Sequence, residues 1–371
     1  MRVLVAMDSF KGSLSSQEAG SAVKEGILAV HPEAVVTVCP IADGGEGTVD
    51  ALGTAGEICK TTVTGPLGTP VEAKYCILPD TGTAVMEMAA AAGLTLVPAE
   101  KRDPMVTTTY GVGEMITDAI RKGCRKFIIG IGGSATNDGG TGMLSALGFR
   151  FLDEKGREIP RGAAGLEKLT SVDTTRKLPE LEKCQFSIAC DVKNPLCGDN
   201  GCSAVFAPQK GAREADISRM DAWLLHYAKL LGGDPHAPGA GAAGGLGFAF
   251  QCCLGGQLAS GIDLILKETA MEEKLQNADI VVTGEGRLDG QSFMGKTPVG
   301  VAQLAKKYGK KTLAFAGSLG TGAETCNEYG IDACFSVTPG PMALEEAMKP
   351  ETAYENLKNT VRQVFRLLEE S

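Results

Sequence analysis

The chain has 371 residues, a formal net charge of −9, 43% hydrophobic and 22% charged residues, and 49 glycines. That balance describes a globular chain with room for two domains and argues against duplex nucleic acid as a partner, which wants a basic face. The glycine excess is concentrated in four patches, 44–56, 130–148, 239–256 and 284–300, which excludes a collagen-like period and a uniform low-complexity linker.

In chain order, the apolar run at 2–7 predicts a buried strand, entered with no signal peptide ahead of it. A loop at 8–14 leads to Ser15 or Ser16, either of which can cap a helix running to about Val30. Residues 34–39 read as the next strand, and a strand–helix–strand crossover implies parallel pairing. The extended runs within 58–79 flank Gly65-Pro66-Leu67-Gly68 and predict an antiparallel hairpin. Strands follow at 126–131 and 185–190, with a long helix at about 214–231. In the last third, strands at 279–283, 311–316 and 332–337 alternate with helices near 298–308, 321–329 and 343–348. Leu357, Val361, Val364, Phe365 and Leu368 mark an amphipathic helix over about 351–369.

The expected fold class is therefore α/β: a doubly wound, mostly parallel sheet domain from residues 1–72 and 264–371, with a second α/β domain, 73–263, inserted into it. The ligand cleft is expected between the two. Twelve cysteines without a CxxC, and three histidines outside the glycine patches, argue against a zinc site and a Ser-His-Asp hydrolase. The expected setting is reducing and cytoplasmic, with no membrane span; homo-oligomer formation is left open.

Six motifs can carry chemistry. Asp8, Ser9 and Lys11 follow the first strand, where open α/β sheets bind ligands; a capping loop with a solvated lysine is the plainer reading. Asp43-Gly44-Gly45-Glu46 follows the second strand and offers carboxylates beside glycine, or simply a turn. The strand at 126–131 runs into Gly130-Ile-Gly132-Gly133-Ser134-Ala-Thr136-Asn137-Asp138, laid out like a phosphate cradle whose backbone N–H groups face an anion. Tight structural packing is the competing reading. Asp191 ends the strand at 185–190 as a candidate acid or as an Asx-turn former, and Lys210 in FAPQKG is a phosphate contact or a plain surface charge. Gly241 lies in PGAGAAGGLG, where small residues let backbones or a phosphate approach.

The sixth segment carries Glu285, Arg287, Asp289 and Lys296. Gly290 to Thr297 matches GxxxxGK[ST], but a strand ending near Thr283 sits seven residues too early for a true phosphate-binding P-loop, so the match is set aside. Glu285 and Asp289 suit Mg²⁺, while Arg287 and Lys296 can neutralise phosphoryl charge. Chemistry run on Asp, Glu, Lys and glycine-rich loops is what phosphoryl transfer requires.

Taken together, DSFKGSLSS at 8–16, ADGGEGT at 42–48, KRDPMVTTTYGVGE at 101–114, GIGGSATNDGGTGML at 130–144, CDVKNPLCG at 190–198, FAPQKGA at 206–212, PGAGAAGGLG at 238–247 and TGEGRLDGQSFMGKTP at 283–298 resemble the type I glycerate kinase family. Met7 and Asp103 are minor departures. The resemblance implies a two-domain α/β enzyme that transfers the ATP γ-phosphoryl group to glycerate with Mg²⁺, usually giving 2-phosphoglycerate, in some members the 3-phosphate.

On chemical grounds Asp191 is the expected base, with Lys296 and Lys11 in catalysis. Asp8, Ser9, Asp43 and Arg287 are expected to hold substrate. Gly132, Gly133, Ser134, Asn137, Asp138, Lys210 and Gly241 are expected to line the nucleotide phosphates, and Glu285 and Asp289 the metal. The alternatives are a kinase of another hydroxy or sugar acid, and a nucleotide-binding regulator without turnover.

Overall fold

The structure is a computed structural model and describes residues 1–42, 44–45, 47–53, 56–290 and 296–368. In chain order its strands are β1 (Arg2–Met7), β2 (Val35–Val38), β3 (Glu57–Thr64), β4 (Pro70–Leu78), β5 (Thr83–Glu87), β6 (Lys126–Gly130) and β7 (Arg150–Leu152), then β8 (Ser171–Asp173), β9 (Gln185–Ala189), β10 (Gln257–Ala259), β11 (Ile280–Leu288), β12 (Lys311–Leu319) and β13 (Ala333–Ser336). The chain divides into two compact units. One comprises Met1–Asp43, Asp50–Thr54 and Ile262–Ser371; the other comprises Gly44–Val49 and Ala55–Gly261.

The first unit is a five-stranded parallel sheet in the order β13-β12-β11-β1-β2. Helices cover both faces, so the inner strands β1, β11 and β12 are largely apolar on both sides, as buried parallel strands are. On β12, Leu313 and Phe315 face one core and Ala314 and Ala316 the other. The first core is closed by the helices Ser16–Leu28 and Pro350–Arg366, which contribute Val23, Ile27, Leu357, Val361 and Phe365. Ser15 caps the former in a full capping box with Glu18, satisfying two otherwise orphaned N–H groups. The helix Thr297–Lys307 packs on the opposite core through Ala302.

The second unit holds a six-stranded mixed sheet, β10-β9-β6-β5-β4-β3. The pairs β3–β4 and β4–β5 are antiparallel, while β5, β6, β9 and β10 run parallel. The expected hairpin is β3–β4, with Gly65 and Thr69 closing its turn at 2.7 Å. An expected boundary at 72/73 therefore cuts β4; all of residues 57–72 belongs to this second sheet, held by an eight-pair ladder with β4. Its core stacks Phe127 on Phe186 at 4.9 Å, with Phe250 beside them. A two-stranded ribbon, β7–β8, stands apart from the main sheet.

Candidate functional site

In the first unit the strand order reverses at β1, which has β2 on one side and β11 on the other. Ligands in open α/β sheets bind beyond the carboxyl ends at such a reversal. There Met7 pairs with Gly284, and the Asp8 N–H donates to the Gly284 carbonyl at 2.9 Å, so the same register sets Asp8 beside Glu285. Both carboxylates are nearly buried, at 7% and 8% exposure. Asp8 Oδ2 accepts the Thr297 hydroxyl at 2.6 Å and Oδ1 accepts the Ser9 N–H at 2.6 Å. Lys296 Nζ stands 3.7 Å from Glu285 Oε2. Lys11 is exposed in the loop after β1.

The strand β11 does not stop near Thr283. It pairs with β12 through Leu288, because Gly284 lets the strands close up: a Cβ there would lie 1.9 Å from the Phe315 carbonyl oxygen. The ground for setting aside the Gly290–Thr297 match is thereby removed. The strand ends two residues before Gly290, and Thr297, buried and hydrogen-bonded to Asp8, opens a helix with Lys296 as its cap. Residues 291–295 lie outside the described residues. Thr297 is the residue that sequence reasoning passed over; the motif was its signal, and the misplaced strand end hid it.

Glu285 and Asp289 are not the pair they were expected to be. Four residues along a strand span about 13 Å, and Asp289 instead pairs with Arg287 at 3.0 Å. Asp8 and Glu285, on neighbouring strands about 4.8 Å apart, are the better-placed carboxylates. Among the described residues no group of three or more His, Cys, Asp and Glu side chains gathers for a metal. Two nearly buried carboxylates and a hydroxyl are hard oxygen donors and suit Mg²⁺, which takes few protein ligands and fills its shell with phosphate and water.

In the second unit, the glycine loop after β6 separates into an open part and a packed part. Gly132 and Gly133 are exposed, and a Cβ on Gly132 would meet nothing within 4 Å. Ser134 is 8% exposed. The other residues expected to contact phosphate are packed inside the unit. Asp138 is fully buried and accepts the Thr109 N–H and hydroxyl, both at 2.9 Å, the Gly140 N–H at 3.0 Å and the Gly142 N–H at 3.3 Å. Burial pushes its carboxyl above the usual range, against the pull of these donors.

Asn137 is equally buried and donates to Ser203 Oγ at 2.9 Å. Lys210, 2% exposed, donates to Ser134 Oγ at 2.6 Å and to the Thr136 carbonyl at 2.7 Å. Burial lowers its pKa to about 8, partly opposed by Cys202 and Asp138. A Cβ on Gly241 would stand 2.1 Å from the Pro195 carbonyl oxygen, so that glycine serves backbone packing.

Asp191 is exposed just past the carboxyl end of β9, accepting a long 3.4 Å bond from the Gly261 N–H. Glu87, at the end of β5, accepts the Val49 N–H at 2.9 Å and went unnoticed in the sequence because no glycine patch or turn marks it. Asp43 lies outside the described residues.

Residues 3–369 match the model of the glycerate kinase family. The chain belongs to the glycerate kinase family. It is 47% identical over 375 residues to the glycerate 2-kinase of Escherichia coli K12, covering 99% of this chain and 98% of that one. It is also 47% identical to the glycerate kinase of Bacillus subtilis 168, covering 98% and 97%. A crystal structure of a Salmonella typhimurium LT2 protein described as a glycerate kinase 2 superposes with a TM-score of 0.90 at 44% identity, over 100% and 98% of the two chains. Family membership makes the chain a phosphotransferase with an alcohol group as acceptor. Among the described residues no helix is long and apolar enough to cross a membrane.

Proposed function

We propose that the chain transfers the γ-phosphoryl group of ATP to the 2-hydroxyl of glycerate. The hydroxyl oxygen forms a new bond to the γ-phosphorus, the bond to the β–γ bridging oxygen breaks, ADP leaves, and the hydroxyl proton passes to a base. The observation that carries the reading is the contact between the Thr297 hydroxyl and Asp8 Oδ2 at 2.6 Å, with Lys296 and Glu285 alongside, at the reversal point of a parallel sheet.

Strand, loop, Lys-Thr and helix, with an acidic residue on the neighbouring strand, are the parts that hold a nucleotide's terminal phosphates. On this reading the nucleotide phosphates meet Lys296 and the first turn of the helix Thr297–Lys307. Lys296 offsets charge that develops on the transferring group. Mg²⁺, when bound, neutralises phosphate charge, and Asp8, Glu285 and the Thr297 hydroxyl are the donors that would hold it.

Thr297 fixes the Asp8 carboxylate before ligand arrives. Asp191, exposed at a strand end, is the proposed base. Gly132 and Gly133 leave open backbone for an anionic group.

The test is ³¹P NMR of the product formed from ATP, Mg²⁺ and D-glycerate, with Lys296→Met and Asp191→Asn beside the wild type. A 2-phosphoglycerate signal, lost by roughly 10²–10⁴ in rate in either variant, is expected. A 3-phosphate product overturns the regiochemistry. Near wild-type turnover in Asp191→Asn removes that residue as the base.

A further inference from the structure

The second unit has a concave pocket of about 280 Å³ between the helices Tyr110–Arg121 and Thr141–Ala146 and the β7–β8 ribbon. Three arginines line it, Arg150, Arg161 and Arg176, the last two exposed, against one acidic residue, Glu158. Arg150 is occupied: its Nε pairs with Glu158 at 2.9 Å and its Nη1 with Asp173 at 3.6 Å. Arg161 and Arg176 stand differently. Among the described residues neither has a carboxylate within ion-pairing distance, although Arg176 lies near enough to Asp173 to help hold that carboxyl below the usual range.

The Arg161 guanidinium lies 3.5 Å over the Tyr110 ring. Stacking of this kind restricts the side chain while leaving its edge N–H donors free to point elsewhere. The lining therefore carries a net positive charge in a protein of net charge −9, with two arginines that form no ion pair among the described residues.

We infer that this pocket binds a small polyanion, a phosphate-bearing acid of a few carbons. Guanidinium pairs match phosphate and carboxylate bidentately. The volume is small for a whole nucleoside triphosphate, since pockets for larger ligands run from about 300 to 1,000 Å³. The pocket wall is tied to the glycine loop: the Thr141 hydroxyl donates to the Asp138 carbonyl at 2.8 Å and the Gly142 N–H to the Asp138 carboxylate. An anion held here would lie against Thr141 and Gly142, one hydrogen bond removed from Asp138 in the loop that carries Gly132–Ser134.

Two sources fit the chemistry, the phosphorylated product of the chain's own reaction and another phosphorylated small acid. The experiment uses inorganic pyrophosphate and 2-phosphoglycerate as probes. Arginines in the full-length wild type are modified with phenylglyoxal, with and without each probe, and located by peptide mass spectrometry. Calorimetry then compares the wild type, Arg161→Gln/Arg176→Gln and Lys296→Met.

Protection of Arg161 and Arg176 by pyrophosphate is expected. Affinity should fall about tenfold or more in the double arginine variant, persist in Lys296→Met, and leave initial rates without added anion unchanged. Protection by 2-phosphoglycerate as well identifies product as a source; protection by pyrophosphate alone points to a different acid. Unprotected Arg161 and Arg176, or pyrophosphate binding abolished by Lys296→Met and untouched by the arginine pair, overturns the inference. The protection readout needs no variant, so a misfolded substitution does not rescue it.

Discussion

Replacing Lys210 by Met should change how stability depends on pH, and the structure sets the size and sign. The Lys210 ammonium is 2% exposed and held by Ser134 Oγ and the Thr136 carbonyl. Burial lowers its pKa from 10.5 to about 8, while Cys202 and Asp138 act the other way. Folded protein thus binds this proton more weakly than unfolded chain does. Between about pH 8 and 10.5 the unfolded state carries more protons, so stability rises with pH across that window. The contribution is fully present above 10.5 and is lost as pH falls through 8.

At ~1.4 kcal/mol for each pH unit, the gap between 10.5 and about 8 is worth about 3 kcal/mol. Other groups titrate in the same range, so the quantity to measure is wild type minus Lys210→Met. Urea unfolding of both proteins from pH 7.5 to 10.5 should show this difference growing by about 3 kcal/mol; thermal melts should show it as about 6–12 °C, taking 2–4 °C per kcal/mol for a unit of this size. A difference that stays flat across the window refutes the argument, because the ammonium would then be solvated or compensated by its neighbours.

Three further outcomes follow from the geometry. Asp138→Asn places an amide among the four N–H and O–H donors that the carboxylate accepts, and should cost about 1–3 kcal/mol; a melting temperature equal to the wild type's, with only activity lost, would assign Asp138 to ligand instead. Gly284→Ala puts a methyl 1.9 Å from the Phe315 carbonyl oxygen and should collapse soluble yield, whereas Gly290→Ala, 3.7 Å from the Thr321 carbonyl oxygen, should leave folding intact. Thr297→Val keeps the volume but removes the donor to Asp8, a charge-assisted bond of about 1.5–3 kcal/mol. Coupled ADP-release assays over a Mg²⁺ series should show kcat/KM for the nucleotide down about 10–100-fold, and an unchanged value would detach Thr297 from the site.

How far the sequence reached depends on the kind of signal. The fold class was legible because parallel strands covered by helices on both faces read as short continuous apolar runs, as in Val3–Met7 and Leu313–Ala316. The 72/73 boundary was not, since nothing local distinguishes a hairpin appended to one sheet from a hairpin appended to another. Asp8 and Lys296 were singled out by position and charge, and the structure places them beside Thr297 and Glu285 respectively.

Asn137, Asp138 and Lys210, expected to meet phosphate, are buried and hydrogen-bonded inside the unit for a shared reason. A glycine-rich loop needs internal polar staples to hold its shape, and such staples have the composition of a ligand site. Only burial separates the two. Thr297 was masked by reading the strand as ending near Thr283, when Gly284, the next residue, lets β11 and β12 continue as a pair.

The pairing of β1 with β11 has a consequence for synthesis on the ribosome. β1 and β2 emerge first, yet the first sheet cannot form until β11 follows, and 241 residues separate the end of β2 at Val38 from Ile280. At about 5–20 residues per second, that interval lasts on the order of ten to fifty seconds. All the strands of the second sheet are translated within it, so that sheet can fold while Val3–Met7 is still without its β11 partner. For that time one of the most apolar strands of the protein is a bare edge. Overproduction should therefore be limited by protection of the first forty residues in the nascent chain, and slowing translation within the second unit should lower soluble yield rather than raise it.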